Sequence, residues 1–181
     1  MPLKQFTSER LLFRPLGQDD VTERYVYWLN DPEVNRYLEI RFSNHTLESC
    51  GAFVRETNAD PNSHLWGMFD RSTGLHIGNI KIGFINSIYS SGQLSLFIGE
   101  KAYWGKGLAT EAISAVTKWA FDELDLVRVE AGCCDENTAS LRAFLKVGYT
   151  VEGYFRKNTV LDGRRIGGFW LGMLRDEFIH R

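Results

Sequence analysis

Cysteine, histidine and proline are scarce in this chain, whose 181 residues hold three Cys, four His and four Pro. Cys50, Cys133 and Cys134 are odd in number and two are adjacent, which excludes a disulfide framework and suits a reducing compartment. His45, His64, His76 and His180 are scattered with no CxxC or HxxxH, so metal-ligand spacing is absent and no metal is expected. No stretch approaches the ~18 apolar residues that a bilayer span requires. The opening Met1–Phe6 is too short and polar for a signal peptide. The expectation is a cytoplasmic protein that does not enter a membrane. Charge of one sign is missing too: 21 Lys and Arg against 23 Asp and Glu give a net charge of −2. That balance argues against wholesale nucleic-acid binding. No GxxxxGK[ST] loop and no GxGxxG turn occurs, which weakens a nucleotide-binding reading. With no repeat, low-complexity tract or linker, residues 1–181 are expected to form a single domain.

Large apolar side chains are plentiful. A hydrophobic share of 44% and five Trp supply a core and exclude disorder. Arg10–Leu16 reads as a strand ended by Pro15. Gln18–Leu29 places Val21, Tyr25 and Trp28 at helical spacing behind the acidic pair Asp19-Asp20. Asn30-Asp31-Pro32 breaks that helix, and a short helix or turn follows over Pro32–Leu38. Thr46–Asn58 is a helix capped by Thr46, with Leu47, Phe53 and Val54 as its apolar positions. The period then changes: His64–Asp70 and Leu75–Ile85 form a hairpin, and Gln93–Glu100 is the next strand. Gly107–Leu124 is an amphipathic helix with Leu108, Ala112, Ala115, Val116 and Trp119 on one face. Val127–Cys133 is a buried strand, Thr138–Val147 a helix ended by Gly148, and Tyr149–Phe155 and Ile166–Leu174 close the sheet. The order β-α-α-α-β-β-β-α-β-α-β-β gives an α/β fold with a mixed sheet.

Two segments carry chemistry. Tyr103-Trp104-Gly105-Lys106-Gly107-Leu108-Ala109-Thr110 follows a strand and opens a helix. A turn of this kind aims successive N–H groups at one point, and the helix N-terminus adds its positive end, so an anion is the natural ligand. Gly105 and Gly107 remove the Cβ atoms that would block its approach. A β-α-β crossover joins this segment to a second helix start. There Asn137, Ser140 and Phe144 share one face, presenting an amide, a hydroxyl and a ring.

At these residues the chain resembles the GNAT superfamily of acetyl-CoA-dependent N-acetyltransferases. Trp104-Gly105-Lys106-Gly107-Leu108-Ala109 is similar to its R/Q-x-x-G-x-G/A pyrophosphate loop. Asn137-Thr138-Ala139-Ser140 with Lys146-Val147-Gly148-Tyr149 is similar to its N-x-x-S…K-x-G-[FY] segment. Ser8–Leu16 and Trp28–Val34 resemble the branch holding the ribosomal-protein N-terminal acetyltransferases, and acetyltransferases of amino-sugar nucleotides open in the same way. The resemblance implies a single-domain acyl-CoA N-acyltransferase fold: a mixed, mostly antiparallel sheet flanked by helices, with a V-shaped splay between Gln93–Gly99 and Val127–Cys133. It implies acetyl-CoA as cosubstrate, its pantetheine arm pairing with the backbone of Leu96, Phe97 and Ile98. The pyrophosphate is expected on the N–H groups of Trp104 to Ala109 and Thr110, with Asn137 and Phe144 against the arm. Lys101, Lys106, Arg142 and Lys146 either offset the cofactor's charge or are solvated surface residues.

Acetyl transfer to an amine needs a base, an oxyanion donor and a proton for the departing thiolate. A backbone N–H near Ile98 is the expected oxyanion donor. Cys133 and Cys134 read as buried strand-end residues rather than nucleophiles. The chain departs from the family twice: Phe144 stands where many relatives carry a Tyr acid, and Gln93 where some carry a Glu base. Ser140 then becomes the candidate catalytic acid, or an ordinary first-turn serine. A thiol of pKa ~8.5 leaves readily as thiolate. An amine of pKa ~8 is partly neutral at pH 7, unlike a lysine near ~10.4, so a small-molecule amine such as an amino sugar, or a protein N-terminus, is favoured as acceptor. Glu39, His64 and Glu130 are the titratable groups that remain as a base acting through water, each with an alternative structural role. The acceptor pocket is expected from Asn30–His45, which offers Asn30, Arg36, Tyr37, Glu39, Arg41 and Phe42, and from the loop Asn158–Arg165. Arg36 and Arg41, like Lys157, Arg164 and Arg165, suit a phosphate, an acidic peptide or plain solvent. A non-catalytic acyl-CoA-binding domain is the alternative. The chain is expected to be a monomer or a homodimer, with Asp176–Arg181 ending freely or covering a sheet edge.

Overall fold

The computed structural model describes residues 3–179, so the expectation for His180 and Arg181 lies outside the described residues. The chain packs as two compact units, one running through Lys81 and resuming over Leu96–Leu108, the other comprising Ile82–Ser95 and Ala109 onward.

The first unit holds β1 (Phe6–Thr7), β2 (Leu11–Pro15), α1 (Glu23–Asn30), α2 (Leu47–Ala59), β3 (His64–Asp70), and parts of β4 (His76–Asn86) and β5 (Ser91–Ile98). Its strands lie in the order β1-β2-β3-β4-β5, with β2 antiparallel to β1 and β3. Leu16, Tyr25, Trp28, Leu29, Val34, Cys50, Val54 and Leu65 form its core. Trp28 is 2% exposed, a core residue as its spacing predicts.

Two sequence expectations change here, and Pro32–Leu38 takes the turn, one of its two expected forms. The helix expected over Gln18–Leu29 divides: Asp20 leaves it to pair with Arg14 at 2.7 Å and to accept the Gly17 N–H at 2.8 Å. Gln18–Asp20 is therefore a separate 3-10 turn, and Thr22 caps α1 by accepting the Tyr25 N–H. Pro32–Leu38 makes turns only, and a 3-10 turn forms later, over Glu39–Phe42. On α2 the cap at Thr46, reciprocated by Ser49, fixes the phase of the helix. Its inward face is then Cys50, Val54 and Thr57, while Leu47 and Phe53 are exposed.

The second unit carries the remainder of β4 and β5, then α3 (Leu108–Glu123), β6 (Arg128–Cys134), α4 (Thr138–Val147), β7 (Thr150–Leu161), β8 (Arg164–Leu174) and the short α5 (Arg175–Ile179). Its strand order is β4-β5-β6-β8-β7. Antiparallel pairing joins β6, β8 and β7, whereas β5 and β6 are parallel, as the β-α-β crossover requires. That parallel pairing covers only Ser91–Gln93 against Arg128–Glu130, although β6 continues to Cys134 along β8. α3 buries Ala112, Ile113, Val116 and Ala120, a face turned slightly from the predicted one, with Trp119 half-buried.

Candidate active site

The glycine loop in the first unit is braced by distant side chains. A 3-10 turn, Lys101–Tyr103, leads into it from β5. The Tyr103 hydroxyl donates to Asp70 Oδ2 at 2.8 Å, and the Trp104 indole N–H donates to Ile98 O at 2.8 Å. Arg10 donates to Lys106 O at 2.9 Å across 96 positions of sequence. Gly105 and Gly107 adopt φ of 72° and 78°, a left-handed backbone that side chains disfavour. Leu108 is buried and opens α3, followed by the half-exposed Ala109 and Thr110. Held in this way, the loop runs directly into the N-terminus of α3, a position that favours an anion. Lys101 does not serve it in this arrangement: its ammonium pairs with Asp31 at 2.7 Å and with Glu33. Those bonds raise the Lys101 pKa and lower that of the buried Asp31, so both stay charged. Lys106 lies over the Tyr103 ring at 5.0 Å. Leu96, Phe97 and Ile98, which lead into the turn, are half-buried.

In the second unit Asn137 caps α4, its Oδ1 accepting the Ser140 N–H at 3.2 Å. Gly148, at φ 110°, closes the same helix. The cap uses only the oxygen of Asn137 and only the backbone of Ser140. Its Nδ2 and the Ser140 hydroxyl make no hydrogen bond among the described residues. Phe144 is 2% exposed and meets Tyr149 edge-on at 5.0 Å. Burial pushes the Cys133 thiol up to about 11, and Cys134 is buried, which suits strand-end residues and not nucleophiles.

A family model described as "Acetyltransferase (GNAT) domain" matches residues 10–150, most of the chain and both of these segments. The chain belongs to the GNAT acetyltransferase family. It is 37% identical over 182 residues to the SPbeta prophage-derived uncharacterized N-acetyltransferase YokL of Bacillus subtilis, covering 98% of this chain and 97% of that one. It is 28% identical over 164 residues to the spermidine N(1)-acetyltransferase of Escherichia coli K12, covering 87% and 82%. Among solved structures, spermidine N-acetyltransferase from Vibrio cholerae in complex with CoA and spermine superposes with a TM-score of 0.85 at 18% identity, over 95% of this chain and 99% of that one. The GNAT chain is thus an acetyl-CoA-dependent N-acetyltransferase of α/β fold, with a mostly antiparallel sheet flanked by helices.

The remaining expected residues of this GNAT chain fall into distinct groups. Asn30 ends α1 and is spent on structure: its Nδ2 donates to Val26 O and His45 O, and its Oδ1 accepts the His45 N–H at 2.9 Å. His45 Nε2 lies 2.9 Å from Ile40 O, so residues 38–45 form an arch tied to α1. Arg41 is turned inward, with a side chain 9% exposed that donates to Leu38 O at 2.6 Å and stacks on Phe42 at 4.2 Å. Arg36 lies over the Tyr37 ring. The arch therefore presents Glu39, 79% exposed at the side chain, and Phe42, 66% exposed. His64 is half-buried on β3, and burial lowers its pKa, so it is a neutral imidazole.

Of the bases considered in the second unit, Glu130 is committed to Arg128 at 2.7 Å and to the Trp170 indole at 3.2 Å. Gln93 pairs with Glu130 in the ladder. In the β7–β8 hairpin Arg164 pairs with Glu136 at 2.5 Å and Arg165 donates to Lys157 O. Arg142 and Lys146 are exposed on α4. No group of His, Cys, Asp or Glu among the described residues is placed to hold a metal ion, and no helix is long and apolar enough to cross a membrane. Sequence reading missed the bracing roles of Arg10, Asp70 and Tyr103. Each bond spans 33 or 96 positions, and no local pattern marks such a contact.

Proposed function

We propose that this enzyme moves acetyl from acetyl-CoA directly to a primary amine of a small cationic molecule. The observation that carries the reading is the braced glycine loop with its two left-handed glycines, in a chain of this family. In the first unit the N–H groups of Trp104–Thr110 take the pyrophosphate, and the backbone of Leu96, Phe97 and Ile98 pairs with the pantetheine arm. The Ile98 N–H is the oxyanion donor. In the second unit the free Nδ2 of Asn137 binds the arm, and Phe144 backs that helix face as a core ring. Ser140, whose hydroxyl is uncommitted, rotates to donate a hydrogen bond to the departing thiolate, which leaves as such or takes a proton that water passes through the Ser140 hydroxyl, so that serine ends as it began. No covalent intermediate is needed, since the acetyl carbon passes from sulfur to the amine nitrogen through one tetrahedral state. With Glu130 tied up and Gln93 unable to titrate, proton removal from the ammonium goes through water, so turnover is expected to climb with pH as more of the amine becomes neutral.

The arch supports a cationic acceptor over a nucleotide-linked sugar. Glu39, loosely paired with Arg41 at 3.5 Å but 79% exposed, and Phe42 face solvent as a carboxylate and a ring, while Arg41, the group suited to phosphate, has a side chain only 9% exposed. The names of the spermidine-acetylating relatives point the same way. The test is thiol release from acetyl-CoA across spermidine, putrescine, free amino sugars, nucleotide-linked amino sugars and short peptides. Turnover on the small cationic amines is expected. Turnover confined to nucleotide sugars or to peptide N-termini sinks the acceptor assignment. On the amine that works, Ser140→Ala is expected to lower kcat about 10- to 100-fold and leave the KM for acetyl-CoA within about threefold. An unchanged kcat removes Ser140 from the mechanism.

A further inference from the structure

Behind the end of β5, in the first unit, lies a buried polar pair that acetyl transfer does not itself use. His76 and Asn79 stand on β4, 7% and 4% exposed. His76 Nε2 faces two oxygens, Gly78 O at 3.0 Å and Asn79 Oδ1 at 2.7 Å. Both are acceptors, so Nε2 carries the proton and donates to each. Burial pushes the imidazole pKa down, which keeps the ring neutral. Asn79 Nδ2 has no acceptor in good hydrogen-bond geometry and reaches only toward the buried Tyr25 hydroxyl, whose pKa burial raises and Asn79 opposes. A buried donor left unpaired is destabilising, and an apolar pair of similar size would fill the space without that cost. The polar pair therefore has to be explained by what it holds.

Three sets of contacts run from this pair to Phe97–Gly99. Gly78, bonded by His76, approaches β5 so closely that a Cβ on it would stand 2.2 Å from Phe97 O and 2.9 Å from Ile98 Cα. Trp28 meets the His76 ring edge-on at 5.1 Å and fills the place of a Gly99 Cβ, which would lie 2.1 Å from its ring. Tyr25 stacks on Phe97 at 6.4 Å and 10°, and lies 6.3 Å from His76. Phe69 closes the cage, stacked on His76 at 4.8 Å. At the strand end Ile77 O accepts two successive amides, Gly99 N–H at 2.9 Å and Glu100 N–H at 3.1 Å, which marks a local bulge.

We propose that His76 and Asn79 are positioning residues that fix the backbone of Phe97–Gly99, through Gly78 and Trp28, in the geometry that acyl transfer requires. The proposal rests on the acetyl-transfer reading above, in which this backbone receives the arm and the oxyanion. A preformed N–H donor acts only where the oxyanion will appear, and misplacement by ~1 Å costs about 100-fold in rate.

The double variant His76→Phe/Asn79→Leu removes both polar side chains together, leaving Gly78 O and the Tyr25 hydroxyl each short of one partner, so its Tm is expected to stay within about 5 °C of the wild type. Its kcat is expected to fall about tenfold or more while the KM for acetyl-CoA stays within about threefold. His76→Gln, which retains an N–H donor near Nε2, is expected to keep most of the activity. A folded double variant with wild-type kcat overturns the proposal. Should the double variant not fold, Asn79→Ser takes its place: the same fall in kcat with KM held is expected there, against retained activity in His76→Gln, and wild-type kcat in Asn79→Ser overturns the proposal. Amide exchange at Phe97–Gly99 needs no acceptor and separates this proposal from the function reading. Exchange about tenfold faster in the variant supports the positioning role even if no amine is acetylated, and unchanged exchange overturns it.

Discussion

Asp70 shows how one carboxylate can set the start of the glycine loop. Its Oδ1 accepts the Ser72 hydroxyl at 2.6 Å and the Ser72 N–H at 2.7 Å, and its Oδ2 accepts the Tyr103 hydroxyl at 2.8 Å. These bonds, with the Ser72 hydroxyl foremost and Tyr103 next, lower the Asp70 pKa to about 2. The unfolded value is about 3.9, so the stabilisation is complete above that pH and is lost as pH falls through the folded value. The anchor is therefore fully charged wherever the enzyme works. Tyr103→Phe removes one of the donors. The Asp70 midpoint, followed by carboxyl NMR, is expected to rise part of the way toward 3.9, with Ser72 holding the remainder. The KM for acetyl-CoA is expected to rise a few-fold as the loop loses one brace. An unmoved midpoint would mean that Tyr103 only rests against Asp70.

At the scale of the element, α4 joins an observed cap and a proposed ligand contact in one residue. The cap uses the oxygen of Asn137, and the proposed contact with the cofactor arm would use its nitrogen. Asn137→Asp retains the acceptor and discards the donor; it is expected to leave Tm within about 2 °C while weakening acetyl-CoA binding about tenfold. Asn137→Ala discards both and should in addition cost about 1 kcal/mol, a fall of roughly 2–4 °C. Equal stability loss in the two variants would show that the cap is not what the oxygen does. This helix was readable from sequence to the residue because both its ends are written locally, in Asn137 and Gly148. α1 was not, because Asp20 leaves the helical pattern for Arg14 and Gly17, and the competing partner lies on β2. The same distinction separates the site residues. Gly105, Gly107, Asn137 and Ser140 were legible as a spaced pattern, whereas the inward turn of Arg41 and the brace from Arg10 depend on tertiary partners.

For the molecule as a whole, the charge balance decides how the cofactor is held. A net charge of −2 and a pI of about 6.1 give no long-range attraction for a polyanion. Lys101, which leads into the loop, is already paired with Asp31 and Glu33. In the proposed site, affinity comes from short-range donors, chiefly the backbone N–H groups of the glycine loop, and these act within a few ångströms. Salt screens charges separated by more than the Debye length of ~10 Å at 0.1 M, and it screens such close contacts much less. Acetyl-CoA at about 100 times its Kd is expected to stabilise the protein by about 2.7 kcal/mol, a Tm rise of roughly 5–10 °C. Raising the salt from about 0.05 to 0.5 M should remove less than about a third of that rise. Melting curves with and without acetyl-CoA at the two salt levels decide the matter. A rise that collapses at high salt would transfer the cofactor's anchorage from the loop backbone to the exposed cations Lys106, Arg142 and Lys146.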